Sequence, residues 1–397
     1  MNILFYTNRS PYKTTSQGGA ETSLRLIASK FAALNHTVIY VARDRQVQLK
    51  KISQVNGVTV IHIKEFDFPF SKSGIGKRIK ERLNEYVTFL LMPPILRKNK
   101  IDIVHTYYLL RPCLWFLKFK EQKKFDFKLV VRMAGMHWEK SIRLKPTLKS
   151  QYQQIFTQAD ALNFISSGLY TMFLDATEQL GLSRGTGYFI KDIGVEPSIS
   201  EGAKWKQDQQ VTFKLLMATR MAKLAKRHDL LIKGLSELDP NIAWELTLVG
   251  EGEKKEEIEQ LILRLNLQHR IQILPYMNQE KLKKLMLASD LLCLATDYEG
   301  LSKIVIESMS IGLPVLASDV VPLNQYIIDG DNGYLASNTV DGWKDKLTKI
   351  IKNRENLAFV SSRSIEFIET NYNSDKNILT YEKEFLTLLE KKSQTIS

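Results

Sequence analysis

Short apolar runs rich in β-branched residues alternate, from one end of the chain to the other, with stretches whose apolar positions recur at helical spacing. This alternation predicts parallel sheets assembled from βαβ units. In the first half the strand candidates are Ile3 to Thr7, Thr37 to Ala42, Val58 to Ile63, Ile101 to Thr106, Lys128 to Val131, Ala161 to Ile165 and Tyr188 to Ile193. The second half repeats the pattern with Phe213 to Ala218, Trp244 to Val249, Ile271 to Leu274, Asp290 to Ala295 and Pro314 to Ala317. Between them the polar stretch Glu196 to Gln210, which contains Pro197, is the expected linker. The expected class is therefore α/β: two doubly wound, Rossmann-like domains, 1–195 and 196–375, facing each other across a cleft, with ligands at the carboxyl ends of the strands. From Asn353 onward the pattern is helical, and Leu379, Phe385, Leu386, Leu388 and Leu389 form the expected buried stripe.

A chain of 397 residues exceeds a comfortable single core and suits two domains. No stretch approaches the roughly 18 to 20 apolar residues of a membrane span. The nearest, Tyr86 to Leu96, is broken by Pro93-Pro94. The chain opens directly on a strand pattern without a signal-peptide signature, so a cytoplasmic location is expected. Cys113 and Cys293 sit among apolar neighbours without metal-ligand spacing, and reduced, buried thiols are expected. Charge is distributed unevenly. Residues 1–190 carry 29 Lys and Arg against 13 Asp and Glu, an excess of +16, whereas residues 191–397 carry 27 against 30, or −3. A one-sided field of this kind points to a polyanionic partner: an acidic membrane leaflet, a phosphorylated acceptor or nucleic acid.

The segment from Leu291 to Ser318 carries the densest chemistry. An apolar strand ends at Ala295, Gly300 permits a tight turn, and a helix opening near Ser302 directs free backbone N–H groups into the loop, where they can hold an anion. Glu299 precedes that site and Glu307 lies inside the helix. Taken singly, Glu299 is a loop charge and Glu307 a carboxylate favoured near a helix N-terminus. Together, Glu299-Gly-Leu-Ser-Lys-x-x-x-Glu307 followed by Gly312-Leu-Pro-Val-Leu-Ala-Ser318 resembles the Glu-x7-Glu signature of glycosyltransferase family 4. That resemblance covers nearly the whole chain and is strongest from Arg220 to Leu335. It implies a GT-B fold, with the segment 376–397 as a helix crossing back to the first domain. It also implies that Glu307 binds the nucleotide ribose and that Glu299 lies near the donor sugar, with Gly300, Leu301, Ser302 and Lys303 lining the anion site.

Other motifs follow the same resemblance. Gly18-Gly19-Ala20-Glu21, at a strand-to-helix turn where paired glycines let a phosphate approach the backbone, is similar to the family's glycine motif facing the donor diphosphate. Arg220 matches the cation of the Gly-Arg-Leu motif, with Thr219 in place of the usual Gly. The loop after it is one residue longer, leaving Lys226, Lys223 and Arg227 as candidates for the second cation. A cationic pair suits the chemistry, because negative charge grows on the leaving diphosphate. Gly250-Glu-Gly252 resembles the turn near the nucleotide and lacks the third glycine of a dinucleotide motif. Asp329-Gly-Asp331 reads as turn chemistry rather than a metal pair. On the acceptor side the candidates are His105, at the end of Ile101-Asp-Ile-Val-His, and Arg132 and His137, in Val130-Val-Arg-Met-Ala-Gly-Met-His-Trp138. There Ala134-Gly135 replaces the family's His-Gly.

The expectation is a retaining, metal-independent glycosyltransferase without a cofactor. It would move a sugar from a UDP- or GDP-sugar to a lipid-linked or polysaccharide acceptor, in cell-surface glycan or lipopolysaccharide biosynthesis. The basic first half adds an anionic, peripheral membrane surface as a partner. Two alternatives stand beside it: a GT-B sugar-nucleotide epimerase, disfavoured by the Glu299/Glu307 context, and a basic nucleic-acid-binding protein, for which no reader motif is present.

Overall fold

The computed structural model describes residues 1–12, 19–68, 74–107, 110–122, 125–197, 212–221 and 225–391. Two compact units result, Met1–Ile193 with Ser374–Ser397, and Gly194–Asn373.

The first unit holds an eight-stranded sheet of β1 (Asn2–Thr7), β2 (Thr37–Asp44), β3 (Lys50–Val55), β4 (Val58–Lys64), β5 (Ile103–Tyr107), β6 (Lys128–Met133), β7 (Ala161–Phe164) and β8 (Gly187–Ile190). Their spatial order is β3-β4-β2-β1-β5-β6-β7-β8. All pairs are parallel except β3 with β4. The consecutive apolar residues Ile3, Leu4, Phe5 and Tyr6 are all buried, as required of a strand covered on both faces. Strand β3 was not among the sequence-predicted strands. Its side chains are mostly exposed, so it lacks an apolar run. Its signal is the turn: Asn56 and Gly57 both adopt positive φ, 49° and 77°, the geometry that joins antiparallel neighbours through two residues.

The second unit holds β9 (Phe213–Ala218), β10 (Trp244–Val249), β11 (Ile271–Leu274), β12 (Leu291–Leu294), β13 (Val315–Ser318) and β14 (Tyr334–Ala336), all parallel, in the order β11-β10-β9-β12-β13-β14. The order reverses between β9 and β12, which makes the carboxyl ends of those two strands the topological switch point, the place where doubly wound sheets open a crevice. The expected linker lies mostly outside the described residues.

The helix Ser374–Glu390 belongs to the first unit, where Ile378, Tyr381 and Phe385 join the core of Ile3, Phe5 and Phe31. The Phe385 ring stacks on Phe31 at 5.2 Å. This face differs from the expected stripe. Phe385, Leu388 and Leu389 pack inward, but Leu379 and Leu386 are exposed, because positions 378, 381 and 385 follow the helical repeat and place 379 and 386 on the far side.

Two expected acceptor-side residues prove to be interior. Arg132, on β6, and Asp192 are 1% and 2% exposed and form an ion pair. The guanidinium also donates to Asn163 Oδ1 at 2.9 Å and Tyr381 Oη at 2.6 Å, so it ties the C-terminal helix to the sheet. His105 is fully buried between Phe5 and Phe385, with ring centroids at 5.5 and 5.6 Å. Burial, and then the charge of Arg132, hold its imidazole well below the usual range, so it is neutral packing. Neither side chain reaches a surface from which an acceptor can be contacted.

Candidate functional site

At the switch point the chain after β9 is stitched to the end of β12. Arg227 N–H donates to Ala295 O at 3.0 Å, and Asp297 N–H donates to Ala225 O at 2.7 Å. Ala225 adopts a positive φ of 70° to make that return. The stitching fixes where the neighbouring cations point. Lys226 Nζ forms an ion pair with Glu299 Oε1, with the two side chains 17% and 18% exposed. Arg227 instead bridges Asp229 and Asp297, each at 3.0 Å. Arg227 is thereby neutralised in a local network, whereas Lys226 is brought against the first Glu of the motif. Lys223 lies outside the described residues.

Arg220, two residues past β9, is 75% exposed and only loosely paired with Glu253, at 3.8 Å. Its guanidinium remains available at the same strand end. Gly250 and Gly252 have a steric reason to be glycine. A Cβ at either would come within 2.1 Å of a carbonyl oxygen, of Thr219 or of Met221. The backbone after β10 therefore runs tight against the backbone after β9, with Thr219 N–H donating to Val249 O and Met221 N–H to Glu251 O.

After Glu299 the loop turns into the helix Lys303–Ser310. Ser302 occupies the cap position, with no side-chain hydrogen bond closing the helix end. Val305 N–H donates to Ser302 O at 3.1 Å, while the Ser302 side chain caps none of the first-turn N–H groups. Gly300 N–H donates to Glu299 Oε2 at 3.3 Å, and Leu301 is buried, anchoring the loop to the core. Lys303 Nζ donates to the carbonyl of Gly194 at 2.6 Å. Glu307 sits one turn along the helix. Burial pushes its carboxyl above the usual range, opposed in part by Lys303. A carboxylate held in this way gains from ligand donors that restore the hydrogen bonds it lost with water.

Among the remaining candidates, Gly19 opens the helix Gly19–Ala33 of the first unit, while Gly18 lies outside the described residues. His137 is exposed at the start of the helix His137–Leu144, just past β6, with the buried Trp138 beside it as the anchor. Asp329 is paired with Lys346 at 2.7 Å and Asp331 with Arg363 at 2.9 Å, so both carboxylates of that turn are already matched by cations.

Asp297 escaped sequence reasoning, and Thr219 was noted only as the replacement for the usual Gly. Asp297 occupies Arg227 and leaves Lys226 to Glu299. Thr219 Oγ1 meets His228 Nε2 at 3.1 Å below the Arg220 loop. The only signal for either was proximity to the motifs.

Residues 203–366 match the family model described as "Glycosyl transferases group 1". The N-acetyl-alpha-D-glucosaminyl L-malate synthase of Bacillus anthracis is 21% identical over 388 residues, covering 94% of this chain and 95% of that protein. A D-inositol 3-phosphate glycosyltransferase of Nocardia farcinica is 29% identical over 150 residues, 35% of this chain and 33% of its own. Among solved structures, sucrose-phosphate synthase of Thermosynechococcus elongatus superposes with a TM-score of 0.80 at 16% identity, covering 98% of this chain and 99% of the other. The Anabaena protein HepE, in complex with UDP and glucose, gives 0.67 at 17% identity over 100% and 99% of the two chains. The structural likenesses establish the GT-B fold. With the family match and the relatives, they support a glycosyltransferase.

Proposed function

We propose that the protein is a retaining, metal-independent glycosyltransferase that moves a sugar from a UDP- or GDP-sugar to a hydroxyl of a lipid-linked or polysaccharide acceptor. The observation that carries this reading is the convergence, at the switch point of the second unit, of Lys226, Glu299 and the open helix end before Glu307. Lys226 and Arg220 are the cations for the diphosphate, the N–H groups after Gly300 contact its oxygens, and Glu307 accepts the ribose hydroxyls. With diphosphate bound, Lys226 exchanges part of its pairing with Glu299 for phosphate oxygen, and Glu299 is released toward the sugar.

Among the described residues no side chain at the site is arranged as an enzymic nucleophile. The reading therefore has the acceptor oxygen attack the anomeric carbon on the face from which the phosphate leaves. The C–O bond to phosphate breaks, the new C–O bond forms, and a phosphate oxygen takes the hydroxyl proton. Arg220 and Lys226 stabilise the charge that builds on the diphosphate. On the acceptor side His137 remains the candidate, since it is the exposed side chain of the three expected there.

A lipid-linked acceptor is supported by the helix Gly74–Lys98, on which Ile75, Ile79, Tyr86 and Leu90 are exposed along one face, spaced by whole turns. Lys77, Arg78 and Arg82 are exposed with them. Apolar anchors among cations suit an anionic leaflet. No described helix is long and apolar enough to cross a membrane. The basic stretch from Arg97 to Lys128 is partly occupied internally, since Arg97 stacks on Phe125 and Lys120 pairs with Asp160.

The test is incubation with UDP- and GDP-sugars, a polyprenyl-diphosphate saccharide and chelator, with product configuration read by NMR. Retention of the donor's anomeric configuration is the expected result. An inverted product, or activity that returns only with added manganese, contradicts the mechanism, and conversion of donor without acceptor favours an epimerase. Sedimentation with anionic but not neutral vesicles, abolished by salt, checks the surface.

A further inference from the structure

A cavity of about 360 Å³ lies in the second unit between the helices His228–Ser236 and Lys255–Arg264, and Lys226 is part of its lining. Its floor is apolar, formed by the buried Ile258 and Leu261. Its charged lining is mostly cationic: Lys226, Lys233, Lys254 and Arg264. The two acids there are already engaged. Asp229 is held by Arg227 in a two-bond fork at 3.0 and 3.1 Å, and Glu257 lies 3.9 Å from Lys254. Among the described residues neither Lys233 nor Arg264 has an ion-pair partner.

The titratable groups of the lining feel these cations. Burial pushes the Asp229 carboxyl up, but Arg227, then Lys233 and Lys254, hold it below its ordinary value. Burial, then the charge of Lys226, pushes the His228 imidazole down to about 4, with Lys254 adding to the shift. Lys233, on one helix, and Lys254, at the cap of the other, line the hollow together with Asp229. Arg264 stands at the far end of its helix, about 15 Å along the groove.

We propose that this cavity is a second anion site that binds a phosphate monoester with an apolar body, separately from the nucleotide. The phosphate sits between Lys233 and Lys254, cations that line the cavity from its two flanking elements. The organic part covers Ile258 and Leu261, and Arg264 closes the open end. The arrangement suits a phosphate because Lys233 has no ion-pair partner among the described residues and Lys254 is held only loosely, 3.9 Å from the exposed Glu257.

Phenyl phosphate is the probe, titrated calorimetrically into the full chain at fixed ionic strength, with and without saturating UDP. Inorganic phosphate and phenol are titrated in parallel. Phenyl phosphate is expected to bind saturably in both conditions and more tightly than either fragment. Affinity should fall about tenfold or more in Lys233→Ala/Lys254→Ala, with a smaller loss in the exposed single variant Lys233→Ala. UDP affinity, unchanged in both variants, reports that the chain is folded. No saturable binding, binding indifferent to the substitutions, or complete displacement by UDP overturns the proposal. Displacement places the probe in the nucleotide site, whereas failure of UDP itself to bind counts against the proposed function and leaves this titration readable.

Discussion

The two units handle charge inside a parallel sheet in opposite ways. In the first, Arg132 and Asp192 are almost fully buried, and the guanidinium is met by a carboxylate, an amide and a phenol. In the second, Lys226 and Glu299 keep a fraction of their surface in solvent, Arg220 is mostly exposed, and Glu307 is pressed into a poorly solvating position. A fully matched buried charge has nothing left to offer a ligand, and its work is to hold the C-terminal helix on the sheet. A charge that is half-matched at a strand end has capacity to spare. Completeness of pairing, rather than the mere presence of an Arg or His at a strand end, separates scaffold from site.

Breaking the scaffold pair has the largest expected effect. Arg132→Ala leaves Asp192 buried without its cation and should cost about 3–5 kcal/mol, read as a lowered urea midpoint. Asp192→Leu combined with Arg132→Met should recover much of that loss, because an apolar pair removes both desolvation costs. Recovery would confirm that the pair is structural, and a variant as stable as wild type would contradict it.

Breaking the site should leave stability nearly untouched and strike turnover. Arg220→Ala and Lys226→Ala are each expected to reduce kcat by about 10²–10³-fold with little change in the urea midpoint. Arg227→Ala should reduce kcat far less, since its partners are Asp229 and Asp297. Equal losses at 226 and 227 would show that the stitched loop does not select Lys226.

Much of this was legible in the sequence, and the failures share a cause. Apolar runs located the parallel strands, because strands covered on both faces need continuous apolar residues. The Glu299-to-Glu307 spacing located the strand-loop-helix unit, because the turn glycine and helix start are local chemistry. Strand β3 was missed because an exposed edge strand needs no apolar run, although Asn56-Gly57 marked the turn. The interior roles of Arg132 and His105 were not legible because partners such as Asp192 and Tyr381 are distant in sequence, and only the fold shows who satisfies whom. A hint was present, since a charged residue inside Val130-Val-Arg-Met and another in Phe189-Ile-Lys-Asp-Ile are costly unless they meet.

A smaller effect is expected at Glu307. Glu307→Ala should weaken UDP binding about tenfold or more while sparing the fold. Burial lifts this carboxyl above its ordinary 4.5, with Lys303 opposing. The folded chain therefore holds that proton more tightly than the unfolded one, and ionising Glu307 costs stability as pH rises through the raised value. If Glu307 accepts the ribose hydroxyls as proposed, UDP affinity should fall as pH drops through the same window, and the fall should vanish in Glu307→Gln. Smallest of all, Asp331→Asn and added chelator should leave transfer unchanged, because Arg363 already occupies that carboxylate. Loss of activity there would reopen a metal role.

The most direct measurement is calorimetric titration of UDP and GDP into the full chain and into Lys226→Ala. Saturable binding of at least one nucleotide by the wild type, weakened about tenfold or more by the substitution, is the predicted result. Equal affinity in the two proteins, or binding of neither nucleotide by the wild type, would contradict the assignment of the switch point as the diphosphate site.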